Sequence, residues 1–243
     1  PFMRTTLLPG LFAAVARNTS RSQDDLAVFE CGAVFWGNDR GAAPMPDVSR
    51  RPSQDEIAAV TGNLPDQPRM VAGLLAGNWV PSGWQGPAEK ADWRHAVHLA
   101  QTAAATLGLD LGRRAPKRAP WHPGRCAELY VASGDDEVVL GHAGELHPKV
   151  IKAFGLPERA CAVEFDLDAM IAAAPRGGEV APISPFPLTK QDVALVVDYD
   201  VPASLVRQAL VDGAGELLES IRLFDIYTGP QIAARLRISP ETV

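Results

Sequence analysis

The sequence predicts an α+β chain built as two modules. Helix-spaced and strand-like apolar runs both occur. Two of the strand-like runs, 126–132 and 138–144, flank a polar turn as a hairpin would. The composition breaks at Pro175-Arg-Gly-Gly-Glu-Val-Ala-Pro182, which has proline at both ends, two internal glycines and little to bury. A length of 243 residues, 47% of them hydrophobic, suffices for one large domain or for an ordinary one plus a smaller one.

From the N-terminus, residues 6–18 carry Leu7, Leu8, Leu11, Phe12 and Val15 at helical spacing, with Pro9 near the start, where a missing N–H costs little. Residues 26–35 read as a mostly apolar strand, broken or bulged at Gly32. The stretch 36–66, rich in Pro, Gly, Asp and Ser, predicts an irregular excursion with a short helix around 54–60. A buried-looking strand at 69–77, a loop holding Trp79 and Trp84, and a helix over 91–107 ended by Gly108 follow. The hairpin comes next, with its turn at 134–137. A helix at 147–154 is opened by Pro148 and closed by Gly155; a strand at 160–167 and a helix at 168–173 complete the first module. Beyond the break, a strand at 192–197, a helix at 202–211 and a long strand at 217–227 match the start of a ferredoxin-like βαββαβ sandwich.

A net charge of −6 argues against a protein dominated by one basic nucleic-acid-binding face, though it permits a local basic patch. Cys31, Cys126 and Cys161 are scattered, an odd set that suits a reducing cytoplasm. No apolar run approaches the ~20 residues of a membrane helix, and the first residues form no targeting segment. Phosphate-binding glycine loops, H-E-x-x-H and G-x-S-x-G are all missing from the sequence. His122, His142 and His147 with Cys126 lack zinc spacing; two of these histidines precede proline and read as turn chemistry. Glu145 and His147 could form an acid–base pair, but the pattern sets no nucleophile beside them, and a helix-entry turn is the simpler reading. Trp79, Trp84, Trp93 and Trp121 are read as packing residues, with base stacking as the alternative. A sizeable core without convergent catalytic groups points to a partner, scaffold or recognition module.

Three sets of residues resemble one family. Arg4-Thr-Thr-Leu-Leu-Pro-Gly-Leu11, Arg17-Asn18, Leu26-Ala-Val-Phe-Glu30 and Gly32-Ala-Val-Phe35 are similar to a hallmark segment of the bacterial phenylalanyl-tRNA synthetase β subunit. His122-Pro-Gly-Arg125, Gly141-His-Ala-Gly-Glu-Leu-His-Pro148, Phe154-Gly-Leu156 and Ala162-Val-Glu-Phe-Asp-Leu167 follow in the family's order. Phe186-Pro, Asp192-Val-Ala-Leu-Val-Val197, Leu217-Leu-Glu-Ser220 and Leu223-Phe-Asp-Ile-Tyr227 look like its C-terminal anticodon-binding domain. The sequence departs from the pattern at Gln191, where the family often has Arg, and again after Gln231.

The resemblance implies a catalytic-like module over 1–174, with the antiparallel sheet of a class II synthetase but no catalytic residues. It further implies a linker at 175–182 and an incomplete ferredoxin-like anticodon-binding domain over 183–243. The implied enzyme is a cytoplasmic (αβ)2 heterotetramer. Its α subunit uses ATP and Mg2+ to attach phenylalanine to tRNA(Phe), and no metal or cofactor is expected on this segment. The 6–18 helix is a candidate interface element or a simple core helix. Lys190, Arg207, Arg222 and Tyr227 are candidate tRNA contacts, chosen by residue type within the last domain: cations for phosphate, an aromatic ring for a base. The alternative function is a free-standing RNA- or protein-interaction module that retains the fold without synthetase activity.

Overall fold

The computed structural model describes residues 3–37, 41–115, 118–133, 136–175, 177, 183–198 and 200–227. The chain divides into two compact units, Pro1–Val180 and Ala181–Val243.

In the first unit, helix α1 (Leu8–Thr19) buries Leu8, Leu11, Phe12 and Val15 along one stripe. Strand β1 (Leu26–Ala33) follows, then helix α2 (Gln54–Gly62), whose start is a capping box. Ser53 accepts from the Glu56 N–H, and the Glu56 carboxylate accepts from the Ser53 N–H. Next come β2 (Arg69–Ala76), the short pair β3 (Asn78–Val80) and β4 (Glu89–Lys90), and helix α3 (Trp93–Thr106). The unit continues with β5 (Gly112–Arg114), β6 (Trp121–Ser133), β7 (Asp136–Leu146), α4 (Pro148–Phe154), β8 (Cys161–Asp166) and α5 (Leu167–Ala173).

Six of these strands form one sheet in the order β1-β2-β8-β7-β6-β5, each neighbour antiparallel to the next. Helices cover both faces. α1 and α4 lie on one, over Met70, Ala72, Leu74, Leu146 and Ala162; α3 and α5 lie on the other, over Leu75, Leu129, Ala143, Val163 and Phe165. Burial on both faces explains why β2 reads as a continuous apolar run after Arg69, and why β8 is apolar through Cys161, Ala162 and Val163 before its acids Glu164 and Asp166. Tight strand packing also sets a glycine: at Gly141 a Cβ would run into the backbone of Glu164 and Phe165 on β8.

Several sequence expectations change in detail. β1 is not broken at Gly32, which pairs in regular register with Met70; the glycine leaves room for the Arg4 side chain. Asp136 and Glu137 belong to β7 instead of the turn, whose tip at 134–135 lies outside the described residues. The Trp79 loop contains the β3–β4 ladder, and β5 is a further strand. Both were hidden because strands of two or three residues are too short to carry a periodicity. Most of the 175–182 linker also lies outside the described residues.

In the second unit, the helix appears as α6 (Ala203–Ala214), followed by a 3₁₀ turn (Gly215–Leu217). The runs 192–197 and 218–227 join no ladder among the described residues. An alternating apolar pattern marks the face of a strand but does not supply its partner.

Replacing Gly141 by alanine should destabilise the first unit by about 1–3 kcal/mol through overpacking. Replacing Gly213, in α6 with open space around its Cα, should stabilise the second unit by about 0.5–1 kcal/mol. Urea unfolding of the two variants tests both; equal shifts would contradict the packing argument.

Candidate functional site

The α1-side face of the sheet brings together most of the first unit's buried polar chemistry. The strand registers set Glu30, Ala72, Glu164, His142, Glu128 and Arg114 in one row running from β1 to β5. On a catalytic sheet such a row would converge on substrate. Here its charged members pair within the protein, while the buried Nε2 of His142 has no hydrogen-bond partner among the described residues.

Glu164 holds the entry to α1. Its carboxylate accepts from the Thr6 hydroxyl at 2.8 Å and from the Leu7 N–H at 2.7 Å, while Thr6 accepts from the Leu8 N–H at 3.3 Å. Burial pushes the Glu164 carboxyl above its usual range, with these hydrogen bonds opposing. His142 is buried, stacks on Trp121 at 5.9 Å between centroids, and places Nε2 3.4 Å from Glu128. Burial holds its pKa below the ordinary imidazole value. Glu128 accepts from Arg114 at 2.5 Å; Arg114 also pairs with Glu137 and lies 5.0 Å over the Tyr130 ring. Glu30 pairs with Arg4.

Glu145, with 2% of its side chain exposed, accepts from Arg125 at 2.6 and 2.8 Å, and Arg159 stands 3.5 Å away. Burial alone would raise its pKa. The two Arg125 hydrogen bonds, then the charges of Arg125, Arg159 and His122, overcome that and hold the carboxyl below its ordinary value. An acid–base pair of Glu145 with His147 is therefore set aside. His147 instead caps α4, its Nδ1 accepting from the Lys149 N–H, and His122 does the same for the Gly124 N–H. Among the described residues, no group of three or more His, Cys, Asp or Glu could hold a metal. Burial lifts the Cys126 thiol to about 11 and that of Cys161 to about 12, so neither is a ready thiolate.

Of the tryptophans, Trp121 is core, Trp79 stacks on His95 at 4.8 Å, and Trp84 projects almost wholly into solvent. A shallow cleft of about 170 Å³ lies beside Trp79, with Asp25, Leu26, Leu75, Asn78 and Ala91 around it. Its one carboxylate, Asp25, is taken by the Asn78 N–H and side-chain amide. Lys190, Arg207, Arg222 and Tyr227 are all exposed in the second unit, with Arg207 on α6 and the other three in irregular chain. Among the described residues no hydrogen bond or ion pair joins them; the Tyr227 hydroxyl interacts with Asp225, which raises its pKa. Sequence reasoning missed Glu164 and the partners of Glu145. The available signal was an acid set between apolar or small strand residues, Glu164 between Val163 and Phe165 and Glu145 between Gly144 and Leu146, since a buried charge needs a partner.

The family model described as the phenylalanyl tRNA synthetase beta chain CLM domain matches residues 1–167. The chain belongs to that β-chain family. A second model, the ferredoxin-fold anticodon binding domain, matches residues 184–238. The β-chain relatives include the phenylalanine–tRNA ligase beta subunit of Cutibacterium acnes, 61% identical over 96% of this chain and 27% of that protein. The corresponding subunit of Thermobifida fusca is 54% identical over 96% of this chain and 28% of that protein. The chain thus spans little more than a quarter of the length of these curated relatives. A pyrrolysyl-tRNA synthetase from Desulfitobacterium hafniense superposes with a TM-score of 0.42 at 12% identity, over 69% of this chain and 48% of that one. The antiparallel sheet with its helices, together with the anticodon-binding ferredoxin-fold match, gives the α+β class and domain order that the sequence predicts.

Arg125→Ala should cost about 1–3 kcal/mol near neutral pH by stranding the buried Glu145 carboxylate. The native pair contributes fully above the ordinary carboxylate value of 4.5 and loses its contribution as pH falls through the lowered folded value, so the gap between variant and native should close on acidification. Denaturant titrations at neutral and acid pH read this directly. The opposite linkage holds at Glu164, whose raised pKa makes its ionised form the less stable one in the fold. Glu164→Gln, which keeps an acceptor for Leu7 without the charge, should therefore be milder at neutral pH than Glu164→Ala. Equal losses would show that the hydrogen bonds contribute nothing.

Proposed function

We propose that this chain is the non-catalytic part of a phenylalanine–tRNA ligase β subunit that supports the α subunit and binds tRNA(Phe) during ATP-dependent aminoacylation. One observation carries the first half of the reading. One face of the sheet is filled by α1 and the residue before it, with Leu7, Leu8, Leu11, Phe12 and Val15 buried against the strands. The polar row beside it is engaged in internal pairs. A core kept without a site is what a subunit retained for its interfaces requires.

In this reading residues 1–174 form the catalytic-like module, 175–182 the linker and 183–243 the anticodon-binding domain. ATP and Mg2+ belong to the α subunit of a cytoplasmic (αβ)2 heterotetramer. No helix among the described residues is long and apolar enough to cross a membrane. Lys190, Arg207 and Arg222 would meet phosphates, and Tyr227 would stack on an unpaired anticodon-loop base.

The test uses the purified chain. Without an α subunit, it should bind tRNA(Phe) but attach no phenylalanine to it in the presence of ATP and Mg2+. Replacing Arg207 and Arg222 by glutamine should lower the slope of log affinity against log salt by about 0.7 per lost single-strand phosphate contact. Tyr227→Ala should cost about 1–3 kcal/mol of binding. Charging by the chain alone would overturn the non-catalytic reading; unchanged tRNA affinity in all three variants would overturn the assignment of these contacts.

A further inference from the structure

α1 and α4 lie side by side on one face of the sheet. The Phe12 and Phe154 rings meet at 4.9 Å, and Val150 and Ile151 pack against the same core as Leu8, Leu11 and Val15. Their inward faces are thereby spent. Outward, this helix pair carries Arg17 in the last turn of α1, Arg21 just beyond it, and Lys149 and Lys152 on α4, all exposed. Neither helix contains an acidic residue; the nearest acids along the chain are Asp24 after α1 and, flanking α4, Glu145, which is held by Arg125, and Glu158.

Elsewhere in the unit, six arginines are matched to carboxylates, Arg4 to Glu30, Arg50 to Glu56, Arg69 to Asp168, Arg94 to Asp92, Arg114 to Glu128 and Arg125 to Glu145, while Arg51, Arg113 and Arg118 are scattered singly and take part in no ion pair among the described residues. Among the described residues, the side chains of Arg17, Arg21, Lys149 and Lys152 take part in no ion pair. Helix-dipole compensation accounts for Arg17 and Lys152, which stand in last turns. It does not account for Arg21, outside a helix, or for Lys149, in a first turn where a cation gains nothing. In a chain of net charge −6, this leaves a local surface of unanswered positive charge.

We propose that the outer face of the α1–α4 pair is a second RNA contact, holding the sugar–phosphate backbone of the tRNA whose anticodon the ferredoxin-fold unit takes. The inference rests on the tRNA-binding reading above. The chemistry of the face fits that occupant: cations spread over two helices without a shaped pocket bind phosphates and read no sequence. Phe154, half-exposed beside Lys152, adds a ring face for ribose or base.

The experiment measures tRNA(Phe) binding to the full chain by fluorescence anisotropy over a range of salt. The variant combines Arg17→Gln, Arg21→Gln, Lys149→Gln and Lys152→Gln. A control with the same change in net charge combines Arg50→Gln, Arg51→Gln, Lys90→Gln and Arg94→Gln. Circular dichroism confirms that both fold. The expected result is a salt slope lower by roughly 3 in the variant and an affinity loss on the order of 10- to 100-fold at low salt, with the control within about twofold of the native chain. A variant that behaves like the control, while the native chain binds, overturns this inference and leaves the tRNA reading standing. A native chain that binds no tRNA overturns both.

Discussion

The first unit depends on how one carboxylate is buried. Glu164 sits on an inner strand of the sheet and accepts hydrogen bonds from Thr6 and Leu7, more than 150 residues earlier in the chain. An unpartnered carboxylate there would cost several kcal/mol. The entry to a helix is the place where backbone N–H groups are left over, and where a negative charge is favoured. The sheet supplies the acceptor that α1 lacks, since Leu7 at its start provides no side-chain cap. Helix entry and buried acid each resolve the other's deficit, and this fixes the position of α1 along the sheet to within a hydrogen bond.

That position determines how the face is filled. With its first turn pinned, α1 can bury its apolar stripe only over β2 and β8, where Ala72, Leu74, Ala76 and Ala162 leave room for it. Small residues in the strands and large ones in the helix make close packing possible without a cavity. Toward β5 the same face turns polar, but Arg114, Glu128, Glu137 and His142 interact with one another. These pairs hold that end of the face together within the unit.

This division also decides how much the sequence could disclose. α1, α3, β2, β8 and the β6–β7 hairpin were legible because each owes its form to apolar spacing or to a local turn. Gly155 and Pro148 bounded α4 by backbone chemistry alone, and the structure has Gly155 in the left-handed conformation that ends the helix. β3, β4 and β5 were not legible, since they are two or three residues long and exist only through their neighbours. The candidate site divides in the same way. The histidines before proline were readable as turn chemistry, because the N–H each accepts from lies two residues on. The commitments of Glu145 and Glu164 were not, because their partners arrive from distant strands and loops.

The second unit obeys a different physical rule. Val193, Leu195, Val196, Leu205, Leu223, Phe224 and Ile226 all keep large exposed areas, and no large side chain in it is fully buried among the described residues. Its helix stands on local grounds, with Pro202 preceding it and a glycine at its end. Strands at 192–197 and 218–227 would gain their stability only from pairing and from the apolar side chains that pairing would bring together.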